Sequence, residues 1–171
     1  WIRTQYFKID LGFGDFGEEV QEMQRLFREL GYDVDPTGIF SGTTRSALLS
    51  FQLERNIVPD DNDIGAGLFG PKTRLAFEQV LEGKKKDMKA KFPRNNLKQG
   101  SFGEDVRLLE NLLKEMKLLE SADDTYDANT VQAVFQFQKL HNIVLTTSES
   151  GAGFFGPQTK EKLEEVMLGR F

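Results

Sequence analysis

The stretch GAGLFGPKT at residues 65–73 returns almost unchanged as GAGFFGPQT at residues 151–159. Working outward from these copies, residues 11–80 align without a gap with residues 97–166, and about a third of the aligned positions are identical. The repeat predicts two tandem domains. We place them at residues 11–82 and 97–168, with an N-terminal segment at 1–10 and a basic linker at 83–96.

Apolar side chains in both repeats recur at the spacing of an amphipathic helix. In the first repeat this spacing predicts helices over about 17–30 and 43–55, and a third helix from Pro71, a residue favoured at the first helical position. The second repeat follows the same order. The sequence therefore predicts an all-α fold of two tandem three-helix domains.

Two segments outside the repeat allow alternatives. The basic run around Lys84–Lys91 is either a solvated linker or a charged extension of the third helix that ends by Pro93. Residues 1–10 are too short for a domain, and are either the stub of a longer protein or a segment that packs an aromatic ring on the first domain. Trp1, Tyr6 and Tyr32 are candidates for stacking on sugars.

Composition excludes several classes of function. With no cysteine and one histidine, the 171-residue chain has no disulfide, no thiol nucleophile and no cysteine-based zinc site. Its net charge of −5 disfavours nucleic-acid binding, and no apolar run is long enough to span a membrane. We expect neither a metal nor a cofactor, and no catalytic residue. His141 is expected on the surface, and the acidic loop at 60–63 lacks the spacing of a calcium loop.

The order of glycine, aromatic, threonine and glutamine residues resembles the small three-helix type of bacterial peptidoglycan-binding domain. The first repeat matches that pattern at Gly14, Gly17, Val20, Gln24, Gly38, Phe40, Thr44, Ala47, Phe51, Gln52, Gly67, Phe69, Gly70, Pro71 and Thr73. The second matches it at Gly100, Gly103, Val106, Tyr126, Thr130, Ala133, Phe137, Gln138, Gly153, Phe155, Gly156, Pro157 and Thr159, but has Glu110 for the glutamine of helix one and Asp124 for Gly38.

The resemblance implies a non-catalytic protein that attaches to the bacterial cell wall, commonly as an accessory to a hydrolase. Its expected partner is a peptidoglycan glycan or stem peptide, and its expected location is extracytoplasmic, in the cell envelope or secreted. A missing catalytic domain is a further possible partner. Two linked sites on one polymer would gain affinity through effective concentration. The alternative is a protein–protein interaction or assembly module that keeps the fold without wall binding.

Candidate ligand-binding residues lie on helix two and at the start of helix three. Amides four residues apart can hold acetamido or peptide groups, and a helix N-terminus with adjacent cations can hold a carboxylate. The alternative is purely structural, with the amides bracing a loop and the threonines capping a helix. The candidates are Gln52, Asn56, Lys72, Thr73 and Arg74 in the first repeat, and Gln138, Asn142, Gln158, Thr159 and Lys160 in the second.

Overall fold

A computed structural model describes residues 7–170 of the chain. Over that range the chain forms six helices: α1 (Glu18–Glu29), α2 (Gly42–Glu54), α3 (Pro71–Lys89), α4 (Glu104–Glu115), α5 (Ala128–Leu140) and α6 (Pro157–Leu168). The all-α expectation is confirmed. The chain divides into two compact units between Lys85 and Lys86, within α3; unit 1 contains α1, α2 and most of α3, and unit 2 contains α4 to α6.

The helices begin where local chemistry satisfies their first N–H groups. Ser41 caps α2 in a capping box, in which its hydroxyl accepts from the Thr44 amide and the Thr44 hydroxyl accepts from the Ser41 amide. Asp127 caps α5 by accepting from the amides of Asn129 and Thr130. Two glutamates open α1, where their charge complements the positive end of the helix dipole.

The core of unit 1 is rich in phenylalanine. Phe27 stacks on Phe77 with ring centroids 4.5 Å apart, and Phe51 and Phe69 meet both rings edge to face. Phe7 is also buried in this core, with its ring centroid 5.0 Å from that of Phe69. Residues 7–10 therefore belong to unit 1, and at Phe7 the structure favours the alternative in which this segment packs an aromatic ring on the first domain. Trp1 and Tyr6 lie outside the described residues.

The core of unit 2 has Leu113 and Leu163 where unit 1 has Phe27 and Phe77, and it keeps rings at Phe137 and Phe155. Tyr126 stands where unit 1 has Phe40, and its hydroxyl donates to the carbonyl of Gly153 over 2.8 Å. Burial raises the pKa of Tyr126, so the phenol stays protonated as that bond requires.

The basic segment is partly helical. Helix α3 continues to Lys89, so residues 83–89 are the helical extension rather than irregular linker. Phe92, in the segment predicted as linker, is buried in the core of unit 2.

Each unit is closed by two isolated antiparallel bridges. Leu11 pairs with Phe69 and Phe16 with Ile39 in unit 1, and the corresponding pairs in unit 2 are Leu97 with Phe155 and Phe102 with Thr125. The first bridge of each unit lays the segment before the first helix against the start of the third. This pairing creates one wall of the candidate site.

Candidate functional site

Gln52 connects α2 to the loop that precedes α3. The side chain is 1% exposed. Its Nε2 donates to the carbonyls of Gly65 and Leu68, both over 2.9 Å, and to Thr73 Oγ1 over 3.0 Å, while its Oε1 accepts from the Gly67 amide over 2.7 Å. Because its donors and acceptor all have partners, the buried amide holds the loop in place.

Unit 2 repeats this arrangement atom for atom. Gln138 Nε2 donates to the carbonyls of Gly151 and Phe154 and to Thr159 Oγ1, over 2.9–3.0 Å, and its Oε1 accepts from the Gly153 amide over 2.8 Å. For both glutamines and both threonines the structure favours the loop-bracing alternative. These four residues shape the site from beneath, and their polar groups bond within the domain.

Asn56 and Asn142 end α2 and α5. Both have a left-handed backbone, with φ of 53° and 55°, and both side chains are exposed. Their backbone N–H groups donate to the carbonyls of Leu53 and Lys139. Asparagine tolerates this conformation better than most residues, so the helix-capping alternative explains its presence at both positions.

The cationic candidates have different environments in the two units. Lys72 is exposed, whereas Arg74 is 9% exposed and pairs with Asp10, and its Nη1 also contacts the Phe69 carbonyl at 3.4 Å. In unit 2, Gln158 is exposed, and Lys160 Nζ donates to the Arg94 carbonyl over 3.0 Å. Arg74 and Lys160 therefore both hold segments of their own unit.

Unit 1 contains a groove of about 730 Å³ at the start of α3. Its floor and walls come from the first bridge, from the end of α2 and from the loop at 63–70. The lining is largely aliphatic: Leu11, Ile57, Val58, Ile64, Leu68 and Pro71. Of the candidates, the groove brings together Gln52, Lys72 and Thr73, and does not include Asn56 or Arg74.

Charged groups surround this aliphatic lining. Lys72 lies beside the start of α3, and Asp10, Asp15 and Asp63 also line the groove. Asp15 and Asp63 each accept one backbone amide, from Gly12 over 2.8 Å and from Gly65 over 2.7 Å. A carboxylate can accept further bonds, so the groove presents an apolar surface together with both signs of charge.

Sequence reasoning missed these aliphatic residues because isolated exposed leucines and isoleucines carry no signal of a site. Ile64 is 96% exposed and Leu68 is 46% exposed. The one available clue was the loop composition, since an isoleucine between an aspartate and a glycine has no helical or strand pattern that explains it. Only the folded loop places these side chains next to each other.

A second exposed apolar surface precedes α1. Phe13 is 72% and Phe16 83% exposed, and Ile39 pairs with Phe16 across the bridge. We call these three residues the aromatic patch. In unit 2 the corresponding positions hold Gln99, Phe102 and Thr125, so only one of the three is apolar there.

Two other residues have structural explanations. His141 is half-buried against the Phe137 ring, with centroids 4.5 Å apart, rather than on the open surface as we predicted. Tyr32 donates to Glu54 Oε2 over 2.5 Å, and burial, aided by that bond, raises its pKa to about 12. Among residues 7–170, no three histidine, aspartate or glutamate side chains are grouped so that they could hold a metal ion.

The comparison with known families agrees with this geometry. A family model described as "Putative peptidoglycan binding domain" matches the chain twice, at residues 16–76 and 102–163. The chain belongs to this peptidoglycan-binding domain family. No curated protein and no solved structure matches it. Each match covers the first two helices of one unit and the start of the third, so the tandem arrangement expected from the repeat is confirmed.

Family membership indicates a binding function and an association with the cell wall. The three helices and the Gln–Thr brace of each unit lie within or beside the matched ranges. Over residues 7–170, none of the helices combines the length and the apolar character required to cross a bilayer. The description of the family indicates peptidoglycan as the partner.

Proposed function

We propose that this chain is a non-catalytic wall-binding module that holds a larger protein at the bacterial cell envelope. The observation that carries the proposal is the groove at the start of α3 in a chain of this family. Exposed apolar side chains with a few charges around them are typical of a ligand-binding surface. The groove in unit 1 lies beside α2 and the start of α3, where the candidate residues cluster in sequence.

The absence of catalytic function is part of the proposal. At this position the two units share a glutamine and a threonine. Gln52 bonds to Thr73, and Gln138 to Thr159, beneath the loop that precedes the third helix. The acids around the groove of unit 1 correspond to Asn96, Ser101 and Glu149 in unit 2, so no carboxylate pair is common to both. Hydrolysis of a glycosidic bond requires such a pair.

Co-sedimentation of the whole chain with purified peptidoglycan sacculi tests this function. Binding that persists in high salt supports recognition of the wall by the groove. Loss of binding in high salt indicates charge attraction through the lysines of residues 84–91, and contradicts the proposal. Incubation of the chain with sacculi should release no soluble fragments, and release of reducing ends or of peptides would show a catalytic activity.

The aromatic patch supports a second candidate, a protein–protein interaction module. Phe13, Phe16 and Ile39 form an exposed apolar surface away from the groove lining, and such surfaces are common at protein interfaces. A chain that binds no sacculi would favour this second candidate. If the groove is the wall contact, F16S should bind sacculi as the unmodified chain does, and loss of wall binding in F16S would instead place the wall contact on the aromatic patch.

A further inference from the structure

The two units differ at one pair of contacting positions beside the groove. In unit 1, Leu68 lies against Gly12, since a Cβ placed on that glycine would be 3.0 Å from the Leu68 Cδ2. In unit 2 the same two positions hold Phe154 and Lys98. Lys98 carries a Cβ where Gly12 has none, and Phe154 is larger than Leu68.

The Phe154 ring lies over the glycine that precedes α6. A Cβ placed on Gly156 would be only 2.6 Å from Phe154 Cε1, so the ring packs directly against that backbone. A Cβ placed on the corresponding Gly70 of unit 1 would have no atom of the described residues within 4 Å, apart from those of Gly70 and its two neighbours in the chain. The glycine that precedes the third helix is therefore open in unit 1 and covered by a ring in unit 2.

Four further differences alter the same surface. Lys72 is replaced by Gln158, the exposed Ile64 by Ser150, and Asp10 and Asp15 by Asn96 and Ser101. Unit 2 thus lacks the cation, an aliphatic contact and two of the three carboxylates of the unit 1 groove. The backbone is nevertheless the same, because the Gly12 amide donates to Asp15 over 2.8 Å and the Lys98 amide to Ser101 Oγ over 3.1 Å.

We infer that the unit 1 groove binds the peptide part of peptidoglycan, and that unit 2 lacks this site because the Phe154 ring takes the ligand's place. The inference rests on the proposed wall-binding function. Within residues 7–170, the groove lining contains no aromatic ring, the usual platform for a sugar, and consists mainly of aliphatic side chains. Such a lining fits a short peptide with small apolar side chains.

The charges of the groove complement that peptide. A stem peptide carries free carboxylates together with the amine of a diamino acid, so it needs a partner for each sign of charge. Lys72 offers the cation, and Asp15 and Asp63 offer carboxylates within the same groove, in which Asp10 is already paired with Arg74. An uncharged glycan strand would make use of neither.

Exchange of the differing pair between the units tests the inference in the whole chain. The variant G12K/L68F gives unit 1 the two residues of unit 2, and K98G/F154L gives unit 2 those of unit 1. The probes are disaccharide-peptide fragments released from sacculi by a muramidase, and glycan strands freed of peptide by an amidase. Titration calorimetry gives both affinity and stoichiometry, and thermal unfolding checks that each variant is folded.

We expect the unmodified chain to bind one disaccharide-peptide per molecule and to bind peptide-free glycan at least tenfold more weakly. G12K/L68F should weaken binding of the fragment at least tenfold, and K98G/F154L should raise the stoichiometry towards two. K72Q, an exposed substitution that introduces the residue of unit 2, should weaken binding severalfold even if the double variant folds poorly. I39T, which also introduces a unit 2 residue but outside the groove lining, should bind as the unmodified chain does.

Other outcomes overturn the inference in distinct ways. Equal affinity for peptide-free glycan contradicts the peptide assignment, and unchanged binding in G12K/L68F, K72Q and K98G/F154L contradicts the assignment to the groove. Two bound fragments per unmodified chain would show that Phe154 does not block unit 2. In all of these cases the sacculi are still bound, whereas a chain that binds no sacculi refutes the proposed function itself.

Discussion

Gln52 Nε2 and Thr73 Oγ1 lie 3.0 Å apart inside unit 1, and Gln138 Nε2 and Thr159 Oγ1 lie 2.9 Å apart inside unit 2. Each pair joins the second helix of its unit to the third across 21 residues of chain. The loop between them is the one that carries Leu68 or Phe154. The brace is therefore common to both units, and the groove that it supports is not.

Removal of the brace should destabilise unit 1. Q52L leaves the Gly67 amide and two loop carbonyls without their partner in a buried site, so we expect a loss of about 2–4 kcal/mol in the free energy of unfolding. Urea denaturation followed by circular dichroism measures it. Q79L, at an exposed position of α3, is the matched control and should change stability by less than about 0.5 kcal/mol. Equal stability of the two variants would contradict a bracing role.

The buried residue at the corresponding position of the first helix differs between units. Gln24 Nε2 donates to the Ile39 carbonyl and to Thr44 Oγ1, both over 2.8 Å, whereas Glu110 accepts from the amides of Asp123 and Asp124 and from the Thr130 hydroxyl. A carboxylate cannot donate. Glu110 thus keeps the bond that Gln24 Oε1 accepts from the loop amide, and reverses the direction of the bond to the threonine.

Exchanging glutamine and glutamate at these two positions should lower stability by unequal amounts. Q24E sets a carboxylate oxygen against the Ile39 carbonyl, and we expect it to lower the stability of unit 1 by about 2–4 kcal/mol. E110Q keeps an acceptor for the loop amides, and Thr130 can rotate its hydroxyl, so its cost should be about 1 kcal/mol or less. Urea denaturation of the two variants compares them, and a larger loss in E110Q would refute this account.

Substitutions of the asparagines at the ends of α2 and α5 can distinguish an effect on stability from an effect on ligand binding. N56A and N142A place a Cβ-bearing residue with no local polar compensation at a left-handed φ, and each should cost about 1 kcal/mol. N56G and N142G should stay within about 0.5 kcal/mol of the unmodified chain, because glycine adopts that conformation without strain. Thermal unfolding measures both pairs.

The glycine variants also test the two roles considered for these asparagines. If the side chains serve only as helix caps, N56G and N142G retain full binding to sacculi. A tenfold loss of binding in a glycine variant of normal stability would show instead that the amide contacts the ligand.

Acidification should destabilise unit 2 through His141. Burial lowers the pKa of His141 below its ordinary value of 6.5, Lys162 lowers it further, and Glu165 opposes both. Because the folded pKa lies below that of the unfolded chain, the unfolded state binds the proton first, and stability falls as the pH drops below about 6.5 towards the folded pKa. H141Q removes the titration. We expect the unmodified chain to lose more stability than H141Q between pH 7.5 and 5. Equal losses would contradict a role of His141 in this pH dependence.

Several features followed from local sequence pattern. The start of α3 at Pro71 and the repetition of all three helices were predictable, because helical periodicity and helix-start residues act over a few positions. The family relation rests on the same order of residues. The amphipathic spacing also identified Val20, Met23 and Leu26 as core residues, and all three are buried.

The burial of the glutamine side chains depended on the tertiary structure. Gln52 follows the core residue Phe51 and was expected to point away from it, yet it is fully buried because the loop at 65–70 folds over it. Phe7 joins the core for a related reason, since the first bridge brings the preceding segment against α3. Neither contact has a signature within a short window of sequence.

The sequence by itself determined that this protein is two copies of one three-helix unit, because periodicity, capping and turn residues are encoded within about a dozen neighbours. Which copy has an open groove was decided only by tertiary structure. Leu68 and Gly12 are separated along the chain, but folding brings them into contact, whereas the corresponding Phe154 packs its ring on Gly156. Whether a ring or a ligand can occupy the surface beside the third helix depends on the space left there, and that space exists only once the loop and the first bridge are folded.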